Sequence, residues 1–148
     1  VTKFLLIVHV LAAIIAIGPV TVAAGAFPAA VRRARAEPDS EGAHGVVHNL
    51  HRICRVYAVV GVVVPVFGLA TANSLHVLGD TWLIVSIVLT ALAAGILGLL
   101  VLPGQSAVLE DLGAVAPARL AMSTGAFDLL WATVTILMIV RPGSTTGA

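Results

Sequence analysis

The sequence predicts an all-α integral membrane protein: an antiparallel four-helix bundle forming a single transmembrane domain over residues 1–148. Three observations lead there. The chain is 59% hydrophobic and 10% charged, with a mean hydropathy of +1.09, whereas a soluble domain is about a quarter charged. Residues 4–31, 56–79 and 81–109 carry no charge, and residues 120–140 carry one, Asp128. A spanning helix needs about 20 apolar residues. Backbone amides in hydrocarbon must also be paired within the structure, which leaves helices or closed barrels, and these runs are too continuous for barrel strands. A net charge of +1 excludes a broad basic face for nucleic acid, so no nucleic-acid partner is expected. One cysteine excludes an internal disulfide framework.

The predicted spans lie near 3–30, 52–74, 81–103 and 118–140. In span one, Ala24-Gly25-Ala26 resembles a signal-peptide cleavage site. A signal carries its positive charge before the apolar core, however, and here Arg32, Arg33 and Arg35 follow it, so a retained helix is expected. Glu37 to Gly42 reads as a solvated turn, and Arg52 and Arg55 open span two. Asp80 can cap span three by accepting a free helix-start amide, with Trp82 in an interfacial aromatic belt and Pro103-Gly104 as the stop. Arg119 opens span four. Lys3 and Arg141 are the only cations on the opposite side. The positive-inside rule therefore places the first and third loops in the cytoplasm and both termini outside. Val1 fits a GTG start codon read literally, and the Ala, Val, Gly and Arg richness fits a GC-rich genome. The expected home is the bacterial inner membrane.

Burying Leu gains little between helices already in lipid, so small residues and polar contacts must hold the bundle. Spacings of four place Ala12 with Ala16, Gly25 with Ala29, Ala91 with Gly95 and Ala94 with Gly98 on shared faces. Gly61, Gly68 and Ala72 offer the same on span two.

Against this background the polar residues stand out. Asp128 sits near the middle of span four, where a charge costs at least ~2.5 kcal/mol. It should turn inward, sharing a face with Thr124, Trp131 and Thr135. His9 shares a face with Ala12, Ala13 and Ala16 and should also point into the bundle. With His76, Ser86 and Thr90, these residues predict a polar pocket in the non-cytoplasmic half: His9, His76, Ser86, Thr90, Asp128, Trp131 and Thr135. Imidazole there could ligate haem iron or a transition metal, or relay protons. His48, His51 and Cys54, three residues apart at the cytoplasmic entrance to span two, form a second candidate set for a soft metal. No phosphate loop, His-Glu-x-x-His motif or nucleophile elbow occurs, so no catalytic residue is assigned.

The run from Phe4 to Ala13, with Leu6, His9, Val10 and Ala13 in a Leu-x-x-His-Val-x-x-Ala pattern ahead of Gly18-Pro19, resembles the first helix of small bacterial membrane families. These include an actinobacterial four-helix integral membrane family of unknown function. His51 to Tyr57 and Pro65 to Gly68 also resemble that family. More distantly, span one is similar to copper-resistance-D-type proteins and to the haem-binding, protoporphyrinogen-oxidising membrane family. The resemblance implies four spans and a haem or copper ligand at His9.

Three functional classes follow: an accessory or cofactor-binding bundle carrying haem b or a metal, a proton-linked transporter or channel-like oligomer using Asp128 and His9, and a structural subunit. The expected partners are membrane lipid and either further copies of the chain or a larger membrane complex.

Overall fold

A computed structural model describes residues 1–144. They are helical throughout, with no strand among the described residues. The helices are α1 (Thr2–Ala36), α2 (Glu41–Val60), α3 (Val63–Leu75), α4 (Thr81–Ile96), α5 (Leu102–Glu110) and α6 (Pro117–Val140). A π-helical segment, Leu97–Val101, joins α4 to α5. These form four rods long and apolar enough to cross a membrane: Thr2–Ala36, Glu41–Leu75, Thr81–Glu110 and Pro117–Val140. The turns at 37–40 and 111–116 mark the loop end of the bundle. Val1, the turn at 76–80 and Arg141 mark the terminal end.

Two rods depart from the expected bounds. The second begins at Glu41, not near 52, so the expected turn at 37–42 is shorter. Ser40 caps it, its Oγ accepting the Ala43 amide at 3.2 Å. Ala43, Val47, His51 and Cys54 then bury one face of the helix, whose first turns are otherwise mainly polar, and those turns pack on Phe27, Val31 and Ala34 of α1. The third rod passes through Pro103-Gly104 and ends at Glu110. A proline ring normally clashes with the carbonyl four residues back and lacks the N–H that would pair with it. Here the π turn widens the backbone just before Pro103, and the Leu102 N–H reaches back five residues to the Leu97 carbonyl. The second rod breaks at Gly61–Val62, one turn before Pro65, for the same reason. With no Pro65 N–H to receive, the Gly61 carbonyl accepts the Val64 amide at 3.1 Å.

The core has three layers. The middle layer packs Val20, Ala23 and Ala24 of α1 against Cys54, Ala93 and Phe127. The loop-end layer joins Phe27 and Val31 to Val47, Val108 and Leu120. Arg35 fastens this end, donating to the Leu112 carbonyl from Nε at 2.7 Å and again from Nη2, and to the Val115 carbonyl at 2.9 Å. The terminal layer is smaller: Ala72, Val77, Trp82 and Leu83, with Met138 against them.

The expected small-residue faces hold only in part. Ala16 and Ala72 are buried, but Gly25, Ala29, Ala91 and Ala94 are exposed. Larger residues such as Leu83 and Leu97 share the packed face of the third rod with Ser86 and Ala93. Trp82 is 6% exposed and so lies inside the terminal layer, not in an exposed belt. Asp80 stands at the N-cap of α4, but its carboxylate takes the Trp82 indole N–H at 3.0 Å in place of a helix-start amide. Indole burial requires a partner for that N–H, and Asp80 is the one within reach.

Candidate functional site

In the terminal half of the bundle, α3 packs on α1 and α4 packs on α6. Beyond the Ala72–Trp82 cluster, α3 and α4 make little contact with each other. α1 and α6 pack on each other, but α3 and α4 therefore stand apart. Between them lies a cavity of about 1370 Å³, bounded below by the middle core layer and above by the terminal one. Its walls are mainly apolar. It is open sideways, because wall residues Ile14, Leu69, Ile87 and Ile139 are also largely exposed on the bundle surface.

His9 is in this wall. Its Nδ1 lies 2.8 Å from the Val64 carbonyl oxygen. A carbonyl can only accept, so Nδ1 carries the proton and Nε2 of the neutral ring keeps its lone pair. Nε2 has no protein hydrogen bond among the described residues. Metal-ligating histidines commonly have this arrangement, in which a second bond fixes the tautomer and ring orientation. Gly68 makes room for the ring: a Cβ there would lie 2.8 Å from His9 Cε1 and 3.1 Å from Nδ1. The π system of Trp131, stacked on Phe127 with centroids 6.3 Å apart, lines the cavity on the α6 side.

Four of the seven residues expected in one pocket line this cavity: His9, Thr90, Trp131 and Thr135. Both threonine hydroxyls donate back along their own helices, Thr90 to the Ser86 carbonyl at 2.7 Å and Thr135 to that of Trp131 at 3.0 Å. Ser86 is fully buried behind the wall and donates to the Trp82 carbonyl. His76 is exposed, in left-handed backbone at the end of α3, with Nδ1 3.0 Å from the Asn73 carbonyl. Asp128 lies outside the cavity wall, deeper in the bundle, beside Thr21 of α1. Its Oδ1 is buried and has no hydrogen-bond partner among the described residues. Thr21 itself lines the cavity, twelve residues of helix or about 18 Å along the axis from His9, so Asp128 adjoins the wall through Thr21.

Arg141 was not among the expected site residues and is the one charged side chain in the cavity wall among the described residues. It ends α6 in left-handed backbone, φ 45°. Its Nε donates to the Met138 carbonyl at 3.1 Å, and its guanidinium lies 5.5 Å from the centre of the Trp82 ring. Both terminal nitrogens are without a protein partner among the described residues. Its sequence signal was a cation immediately after an apolar span.

The second expected set is divided. His51 and Cys54 face inward, and His48 is exposed. Steps of three residues drift around a helix with a period of 3.6, so His48 and Cys54 are about 120° apart. Among the described residues no three His, Cys, Asp or Glu side chains converge as a metal site. The group that does converge includes Gln105, 1% exposed, whose Oε1 lies 3.0 Å from His51 Nδ1 and whose Nε2 lies 3.6 Å from Cys54 Sγ. Ser106 Oγ reaches His51 Nε2 at 3.5 Å.

Comparison of the chain with protein-family models, with curated proteins and with solved structures gave no match. The functional reading therefore rests on the cavity itself.

Proposed function

We propose that the chain is a small multi-pass protein of the bacterial inner membrane, with both termini on the non-cytoplasmic side, that holds a metal-centred cofactor of the haem b type in the cleft between its two helix pairs. The observation that carries this reading is His9: its Nδ1 proton is committed to the Val64 carbonyl, its Nε2 is uncommitted, and its ring lines a large apolar cavity. The residues fit such a group. The cavity exceeds the 300–1,000 Å³ typical of small-molecule sites, Gly68 leaves the imidazole its space, and Trp131 offers an aromatic wall. Bound haem would supply a redox-active iron. His9 would hold that iron, the apolar walls would exclude water, and the Val64 carbonyl would fix the tautomer and orientation of the imidazole.

Adding haemin to the purified protein should give a shifted Soret band at one equivalent, lost in His9→Ala. A spectrum identical to that of free haemin in detergent would refute the reading. The orientation follows from Arg32, Arg33, Arg35 and Arg119 at the loop end against Lys3 and Arg141 at the other. In a Cys54→Ala background, an impermeant maleimide should label Gly79→Cys but not Ser40→Cys in intact spheroplasts.

The orphaned Asp128 Oδ1 favours a second reading, a proton-linked transporter or channel-like oligomer. Under that reading Asp128→Asn abolishes proton flux in liposomes. Unchanged flux removes it.

A further inference from the structure

The cavity wall holds a single charge. Among the described residues lining it there is no aspartate, glutamate or lysine, and the one ionised side chain is Arg141 at the terminal end. The Arg141 guanidinium rests near the Trp82 ring and spends only Nε on the protein, leaving both terminal nitrogens available. A planar fork of this kind pairs with carboxylates in a bidentate way. The rest of the wall is apolar and opens sideways between exposed aliphatic residues. A ligand suited to this cleft is therefore amphipathic: a broad apolar body with an anionic edge.

We infer that Arg141 binds the carboxylate edge of the cofactor, which enters the cleft sideways with that edge at the terminal end of the bundle and its centre toward His9. This rests on the reading of the cleft as a haem-type site and adds a polarity to it. His9 sets where the metal sits, and Arg141 sets which edge of the ring faces the terminal end. Trp82 and the Met138 carbonyl hold the guanidinium in position. Arg141 is then a binding residue whose contribution depends on ligand charge and on ionic strength.

The test compares haemin with its dimethyl ester, in which the carboxylates are masked, on the full chain in detergent. Wild-type protein should bind haemin roughly tenfold or more tightly than the ester, as expected for one charge-assisted pair, and added salt should narrow the gap. Arg141→Gln should lose that preference while keeping the ester affinity and the His9-dependent Soret shift. Arg141→Lys should keep part of it. Equal wild-type affinity for haemin and ester, or an equal loss of both in Arg141→Gln, overturns the inference while leaving the cleft as a cofactor site. Failure of wild-type protein to bind either compound overturns the cofactor reading and the inference with it.

Discussion

His9 donates its Nδ1 proton to the Val64 carbonyl, 2.8 Å away, and so ties α1 to the first turn of α3. This bond fixes the tautomer and leaves Nε2 available, and it exists only because Gly68, one turn further along α3, has no side chain. A Cβ on Gly68 would come within 2.8 Å of the ring. Gly68→Ala should therefore push the imidazole away, cost about 1–3 kcal/mol through overpacking, and abolish the haemin Soret shift. In a His9→Ala background the clash disappears and only the helix-propensity gain of alanine remains, up to about 1 kcal/mol. The second substitution should then be neutral or stabilising. Thermal unfolding of the four proteins in this cycle measures the coupling. Additive effects would show that the ring and Gly68 are not in contact.

Arg35 predicts a different kind of failure, confined to the loop end. Its guanidinium supplies donors to the carbonyls of both Leu112 and Val115, holding the 111–116 loop against the end of α1. Arg35→Gln should remove about 1–3 kcal/mol, the range for hydrogen bonds to charged groups. Arg35→Lys should restore little of it, since a single ammonium cannot reproduce the fork. Limited proteolysis near Leu112 should accelerate in both variants, with haemin binding unchanged. Full stability in Arg35→Lys would mean that one point charge is enough.

The four rods were legible in the sequence because spanning length and apolarity are properties of composition. Their ends were not. The first turns of α2 are polar in sequence and become part of the bundle through Ala43 and Val47, which meet Phe27 and Val31 from another helix. Pro103 reads as a stop, and only the π turn before it, a backbone adjustment with no residue signature, carries the helix onward to Glu110. The site shows the same division. His9 and Asp128 stand out as polar groups on apolar helices, but Val64 contributes through a carbonyl that every residue has. Gln105 was missed because a neutral amide beyond an expected helix stop carries no charge or ligand pattern, although its position buries it between His51 and Cys54.

Gln105 is the residue on which that loop-end network turns. Its carbonyl oxygen can only accept, so His51 Nδ1 donates, and its amide nitrogen donates to the Cys54 sulfur. Gln105→Leu removes both partners at once from groups at most 8% exposed. Leaving buried polar groups unpaired costs about 1–3 kcal/mol. Gln105→Glu keeps the acceptor for His51 but loses the donor to sulfur. Its loss should be smaller if the His51 bond dominates. Cys54, fully buried in wild type, should react with maleimide only as fast as the protein opens, and the rate should rise in Gln105→Leu. Rapid labelling of folded wild-type protein would contradict the packing around Val20 and Phe127.

Asp128 differs from His51 in that its environment leaves a polar atom unmet. Oδ1 is buried without a hydrogen bond, and Thr21 is its polar neighbour on the facing helix. An acceptor held this way contributes desolvation cost with no matching bond, and near the middle of a span the cost rises further. Asp128→Leu should therefore leave the detergent melting temperature unchanged or raise it. The haemin Soret shift should persist, because Asp128 does not itself line the cavity. A sharp fall in melting temperature in Asp128→Leu would mean that a bonded partner outweighs that cost, either Thr21 or a second copy of the chain. Cross-linking in native membranes separates these two cases, since only the second gives a dimer band that Asp128→Leu removes.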